Sequence, residues 1–206
     1  MSLQRLGALG AVCALVAVLP VQGVQAQIID DDGPVPYISE VRLAGLAADA
    51  WRPNREKNDD NGTVAIGVEV LSDPITLIPA EGSLTRFLLQ PRAHIGGTLN
   101  LEDGYNFAYA GLTWTYAFDF GLFVDIGFGG AVHDGELQYE TDSNGFFIIH
   151  GRPNLGSRVL FRESIDIGWD FEGYVVSIFA SHVSNAGLAD QNDGYDYVGL
   201  RVGYPL

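Results

Sequence analysis

The chain has 206 residues, a formal net charge of −15 and a single lysine, Lys57. So acidic a protein lacks the basic patch that nucleic-acid binding requires. Its one cysteine, Cys13, excludes an intramolecular disulfide.

Residues 1–26 read as a cleaved secretory signal. Arg5 supplies the positive start, residues 6–19 are apolar, and Val24-Gln25-Ala26 forms a small-residue cleavage site. The apolar run is short for a membrane-spanning helix. Cleavage after Ala26 removes Cys13 and leaves residues 27–206 as one domain without thiol chemistry. The acidic runs Asp30-Asp31-Asp32 and Glu56 to Asp60 read as solvated loops. Their functional alternative is a divalent-cation site bridging the loops to an anionic lipid surface.

From there the chain shows no amphipathic helix of useful length. It shows alternating runs rich in Val, Ile, Phe, Tyr and Gly, which predict eight strands. They fall at 36–47, 62–72, 87–99, 106–118, 121–132, 156–169, 172–185 and 195–204. The connections at Asp119-Phe120 and Asp170-Phe171 are tight, whereas residues 48–61 and 133–155 are long and polar. Short turns at one end and long loops at the other predict an all-β fold, an eight-stranded antiparallel up-and-down outer-membrane β-barrel. Residues 73–86 fit this scheme poorly: with Pro74, Pro79 and Gly82 they form a longer turn or hold part of a strand.

Alternation also assigns faces. On the last strand Val198, Leu200, Val202 and Tyr204 share a lipid-suited face, and Tyr197, Gly199, Arg201 and Gly203 share a face suited to a narrow interior. A soluble sandwich or lipocalin-like barrel would show the opposite arrangement, with apolar faces inward. On the seventh strand, Tyr174, Val176, Ile178 and Ala180 continue the outward set into His182 and Ser184. Asp196 belongs to the outward set of the eighth.

His182 and Ser184 stand one pleat apart on a common face, a spacing that lets an imidazole activate a serine hydroxyl. With the N-terminus periplasmic, the two lie at the extracellular end of their strand. Asp196 begins the returning strand and could orient the imidazole. Polar groups on a lipid-facing wall are costly unless they pair with one another, which argues for a function. The bland alternative is that serine and histidine cap the strand ladder, and that Asn185-Ala186-Gly187 and Asn192-Asp193-Gly194 are turns.

Other residues read as structural. His94, His133 and His150 lack metal-ligand spacing. Trp51, Trp114, Trp169 and Tyr204 sit where aromatic rings anchor at a membrane interface. The stretch Tyr197 to Tyr204 is similar to the C-terminal assembly signal of outer-membrane barrels, although the chain continues through Pro205 and Leu206.

The runs His182-Val183-Ser184-Asn185-Ala186-Gly187 and Asn192-Asp193-Gly194-Tyr195-Asp196 resemble the outer-membrane lipid A 3-O-deacylases, also called the acyloxyacyl hydrolase-like family. The close resemblance covers about the last 25 residues. The strand layout and the signal agree over the rest. Members carry His-x-Ser-Asn on the seventh strand and an acid on the eighth, and they remove an ester-linked acyl chain from lipid A. Carried over by position, the resemblance implies Ser184 as nucleophile, His182 as general base and Asp196 as orienting acid.

The family usually has glutamate at the place of Asp196. The shorter aspartate is expected to need a different backbone or a water to reach His182. The family often has proline at the place of Asp193, a departure expected to loosen this loop. Oxyanion donors would come from the backbone N–H groups near Ala186 and Gly187, with the amide of Asn185 or Asn192 in addition. This chemistry needs no metal and no organic cofactor. It implies a Gram-negative outer-membrane location, lipid A or lipopolysaccharide of the outer leaflet as substrate, and leaves a homodimer open.

Two other functions remain at this stage. One is an outer-membrane phospholipase, which also uses His-x-Ser-Asn but on a larger, calcium-dependent barrel that residues 27–206 are too few to build. The other is a non-enzymatic structural or adhesion barrel.

Overall fold

The computed structural model describes residues 38–48, 63–76, 78–79, 81–102, 104–138, 140–141, 143–144, 147–148 and 153–206. The signal-like segment with Cys13, the acidic runs at 30–32 and 56–60, Trp51 and His150 lie outside the described residues.

Eight long strands close into an antiparallel barrel. They are β1 (Ile38–Ala48), β2 (Val64–Pro74), β3 (Arg92–Asn100), β4 (Phe107–Ala117), β5 (Leu122–His133), β8 (Val159–Asp170), β9 (Val175–Ser184) and β10 (Tyr195–Pro205). Each long strand pairs with its neighbours in chain order, and β1 pairs with β10 to close the ring. A two-stranded ribbon, β6 (Glu140–Thr141) and β7 (Phe147–Ile148), interrupts the long loop after β5.

The sequence-based strands all form; β8 begins at Val159 and β9 at Val175, each three residues later than expected, and the largest correction is at the third strand. Residues 87–89, assigned above to the third strand, belong to a helix, α1 (Ser83–Leu89), and β3 begins only at Arg92. The same helix fills the connection that fitted poorly. It has seven residues and no side-chain N-cap, too short for a 3.6-residue period to show in the sequence. Its Phe87 packs edge-on against Tyr116 at 5.9 Å.

The barrel is inside out relative to a soluble protein. Leu43, Val68, Ile95, Ile126, Phe128, Ile165, Ile167 and Ile178 point outward and are exposed. The short connections after β4 and β8 carry Phe118, Phe120, Phe171 and Tyr174, and Trp169 at the end of β8 joins them, exposed aromatics suited to a membrane interface. Among the described residues no helix is long and apolar enough to cross a membrane; the strands do the crossing. The apolar outer face therefore excludes the lipocalin-like arrangement.

Inside, side chains fill the lumen, as eight strands leave room for little else. Arg201 meets Glu69 and Asp166, each at 3.0 Å. Arg42 meets Asp125 at 2.7 Å and Glu40 at 2.6 Å. The Arg201 guanidinium also stacks 3.7 Å above the Phe179 ring. These ions are buried and mutually paired, so removing one partner strands the others. Arg201→Met is accordingly expected to destabilise the barrel by about 3 kcal/mol, read as a lower urea midpoint for unfolding from lipid vesicles.

Candidate active site

β9 and β10 position the polar group on the outer wall. Val183 and Tyr195, and Ser181 and Tyr197, are paired and buried inside, so the residues between them face out. Strand register places Asp196 directly opposite His182. The imidazole Nδ1 and the carboxylate Oδ1 lie 2.7 Å apart. An ionised carboxylate only accepts, so Nδ1 carries the proton in this pair, and Nε2 is the nitrogen able to take one. With the two residues directly opposite, the shorter aspartate touches the ring itself, so no water intervenes between them. Both side chains are about half exposed on the outer wall, His182 at 47% and Asp196 at 40%.

Ser184 follows His182 one pleat further out, on the same face and half-buried. Among the described residues no hydrogen bond joins its hydroxyl to the ring. Such contacts commonly close only with substrate in place. β9 has ten residues; at a tilt of about 40° it climbs roughly 23 Å, close to the full height of the apolar band. Ser184 at its end is thus level with the outer edge of the membrane.

Two layers of structure hold Asp196 and the loop before it. On the luminal side, Tyr195 and Tyr197 join Tyr105 and Phe107 in an aromatic cap, with ring centroids 5.2–5.9 Å apart. The Tyr197 hydroxyl donates to the Tyr105 carbonyl at 2.9 Å. On the loop side, the segment before β8 clasps residues 185–194. The Asn154 N–H donates to the Asp193 carboxylate at 2.6 Å, and the Asp193 N–H donates back to the Asn154 carbonyl at 3.1 Å. Asp193 therefore ties the loop down, contrary to the loosening expected where the family often has proline. A proline here would lack both bonds, having neither the carboxylate nor the N–H.

The four residues considered for the oxyanion separate into two kinds. Asn185 is 3% exposed, and its amide donates to the carbonyls of Leu155 and Gln191. Its Oδ1 accepts from the Gly187 N–H at 2.9 Å. The Asn185 amide and the Gly187 N–H are thus engaged within the loop. Asn192 is exposed; its Oδ1 accepts from the Asn185 N–H at 2.9 Å, which leaves its amide hydrogens as donors. Ala186 is exposed and left-handed at φ 54°, a conformation non-glycine residues seldom take and one that concentrates at functional sites.

A shallow groove of about 450 Å³ starts at this group. Its first row across the wall is Glu163, His182 and Asp196; the next is Ile165, Ala180 and Val198. Ala180, small between two branched residues, opens the groove toward the apolar wall. Among the described residues no group of three or more His, Cys, Asp or Glu is placed to hold a metal ion. His94 bonds Thr113 at 2.9 Å and His133 bonds the Ser157 carbonyl at 2.7 Å, both away from this group.

Two contacts at the site are not legible in the sequence. Gly194 has φ 67°, and a Cβ there would stand 2.8 Å from Cε1 of His182, so the loop packs on the ring only because residue 194 is glycine. Its turn signal was legible; its contact was not. The clasp from Asn154 and Leu155 had no local signal.

A closed eight-stranded barrel with an apolar outer wall and a polar lumen defines a transmembrane barrel of the outer-membrane type. The family model described as Lipid A 3-O-deacylase (PagL) matches residues 83–205. The chain belongs to this family, and it is an ester hydrolase of the outer membrane. Among solved structures, "Crystal structure of the outer membrane enzyme PagL" shares the fold at 21% identity and a TM-score of 0.58, over 82% of this chain and 100% of that one. The N-terminal β-barrel domain of Pseudomonas aeruginosa OprF is also similar, at 9% identity and a TM-score of 0.46, over 82% of this chain and 98% of that one. No curated protein sequence matches the chain.

Proposed function

We propose that the chain removes a 3-O-linked acyl chain from lipid A, with Ser184 as nucleophile, His182 as general base and Asp196 as the acid that orients it. The observation that carries this reading is the 2.7 Å contact between His182 and Asp196 on the lipid-facing wall, with Ser184 one pleat away.

The chemistry follows from that arrangement. Nε2 of His182 takes the Ser184 proton as the serine oxygen attacks the ester carbonyl. The imidazolium formed is held by Asp196. The oxyanion is met by the Ala186 N–H and the Asn192 amide, since the Asn185 amide and the Gly187 N–H are engaged in the loop. Collapse of the tetrahedral intermediate expels the sugar oxygen, which takes the proton from His182. Water then enters by the same base and releases the fatty acid. The groove at Ala180 offers an apolar seat for the departing chain. One chain carries all three groups, so the reading needs no second subunit.

Lipid A with defined acylation, incubated with the folded protein and analysed by mass spectrometry, tests this. The expected product lacks one 3-O-linked hydroxyacyl group, and added phospholipid stays intact. Cleavage of the phospholipid with lipid A unchanged would instead establish the phospholipase. Gly194→Ala, which presses a methyl onto the imidazole, is expected to slow the reaction roughly a hundredfold by displacing the base. Its barrel should still show the heat-modifiable gel mobility of the parent.

A further inference from the structure

His182 has carboxylate residues on both sides. Asp196 touches it from β10. From β8, strand register sets Glu163 directly opposite it, and all three line the same groove. Glu163 is exposed between Phe161 and Ile165, which also face outward and are 39% and 43% exposed. Its chain neighbour Arg162 points the other way and is buried in the lumen. A carboxylate on a lipid-facing wall is costly and calls for a cationic or donating partner. The group in register with it that becomes cationic during the reaction is the imidazole of His182.

We infer that Glu163 is a positioning residue for the deacylation, acting through His182 as a second negative charge across the ring from Asp196. This rests on the catalytic reading above. Asp196 already holds Nδ1, and Nε2 is the proton-transferring nitrogen, so Glu163 does not set the tautomer. It stabilises the imidazolium that forms as Ser184 gives up its proton. Beside lipid, that charge is less screened than at a watery surface. The effect belongs to the transition state, so it falls on kcat. If Glu163 instead met a donor on the sugar headgroup, the effect would fall on KM.

The experiment measures kcat and KM on lipid A for the folded parent, Glu163→Gln, Glu163→Asp, Asp196→Ala and the double variant, with Ser184→Ala alongside. Glu163→Gln is expected to lower kcat about fivefold, the scale of an ion pair at a partly exposed site, with KM unchanged. Glu163→Asp should recover part of the loss. In the Asp196→Ala background, where Glu163 is the remaining carboxylate in register with the ring, the glutamine change should cost more than in the parent. Unchanged kcat, or a change confined to KM, overturns the inference. If Ser184→Ala is inactive while Glu163→Gln equals the parent, this inference alone fails. If Ser184→Ala stays active, the catalytic reading fails and this inference falls with it.

Discussion

Ser184→Ala is expected to abolish lipid A deacylation, with kcat down by about a million-fold, the loss typical when a serine nucleophile is removed from a working triad. The fold should be untouched. Ser184 is the last residue of β9, on the outer wall, held by its backbone pairing to Phe161, and its hydroxyl makes no hydrogen bond to another described residue. Removing its hydroxyl therefore deletes chemistry and no support. Rates in detergent micelles, with gel mobility as the folding control, check both parts. A variant that keeps parental activity would show that another group attacks the ester.

The second large effect is at Asp196. Asp196→Asn keeps the size of the side chain and its place opposite His182. An amide can donate to Nδ1, which favours the tautomer with the proton on Nε2, the wrong nitrogen for a base. The imidazolium also loses its counter-charge. The expected loss in kcat is about ten thousand-fold, with KM little changed. Asp196→Glu, which keeps a carboxylate, should remain far above the asparagine variant. Equal activity of the asparagine variant and the parent would remove Asp196 from the mechanism.

Much of this architecture is legible in the sequence because a strand has the shortest possible period. Two-residue alternation places Arg201 in the lumen and Val198, Leu200 and Val202 on the wall, and it sends His182, Ser184 and Asp196 outward together. The same parity carries Asn185 inward, where its amide holds the loop; its turn-like context drew attention to the oxyanion instead. What alternation cannot supply is register. The 14-residue separation of His182 and Asp196 is compatible with several offsets, and only strand pairing sets the two opposite each other. Contacts distant in the chain are equally silent. Asn154 and Asp193 are 39 residues apart, and neither has a local pattern that names the other. α1 was missed for a different reason: two turns of helix are shorter than the window in which helical periodicity emerges.

The wall position of the site also has a thermodynamic meaning. Polar side chains at the outer edge of an apolar band, here Glu163, His182, Ser184 and Asp196, lower the affinity of that surface for lipid tails. His182 and Asp196 compensate each other as a pair, and Tyr195 and Tyr197, on either side of Asp196, are packed into the aromatic cap. A lipid substrate need not leave the membrane to reach such a site.

The claim that Ser184 is a base-activated nucleophile is tested most directly by covalent trapping. The folded protein is treated with an alkyl phosphonate ester that mimics the tetrahedral intermediate, then digested and mapped by peptide mass spectrometry. The predicted result is one adduct, on Ser184, lost in His182→Ala. An adduct on a different residue, or none at all in a preparation that deacylates lipid A, would contradict it.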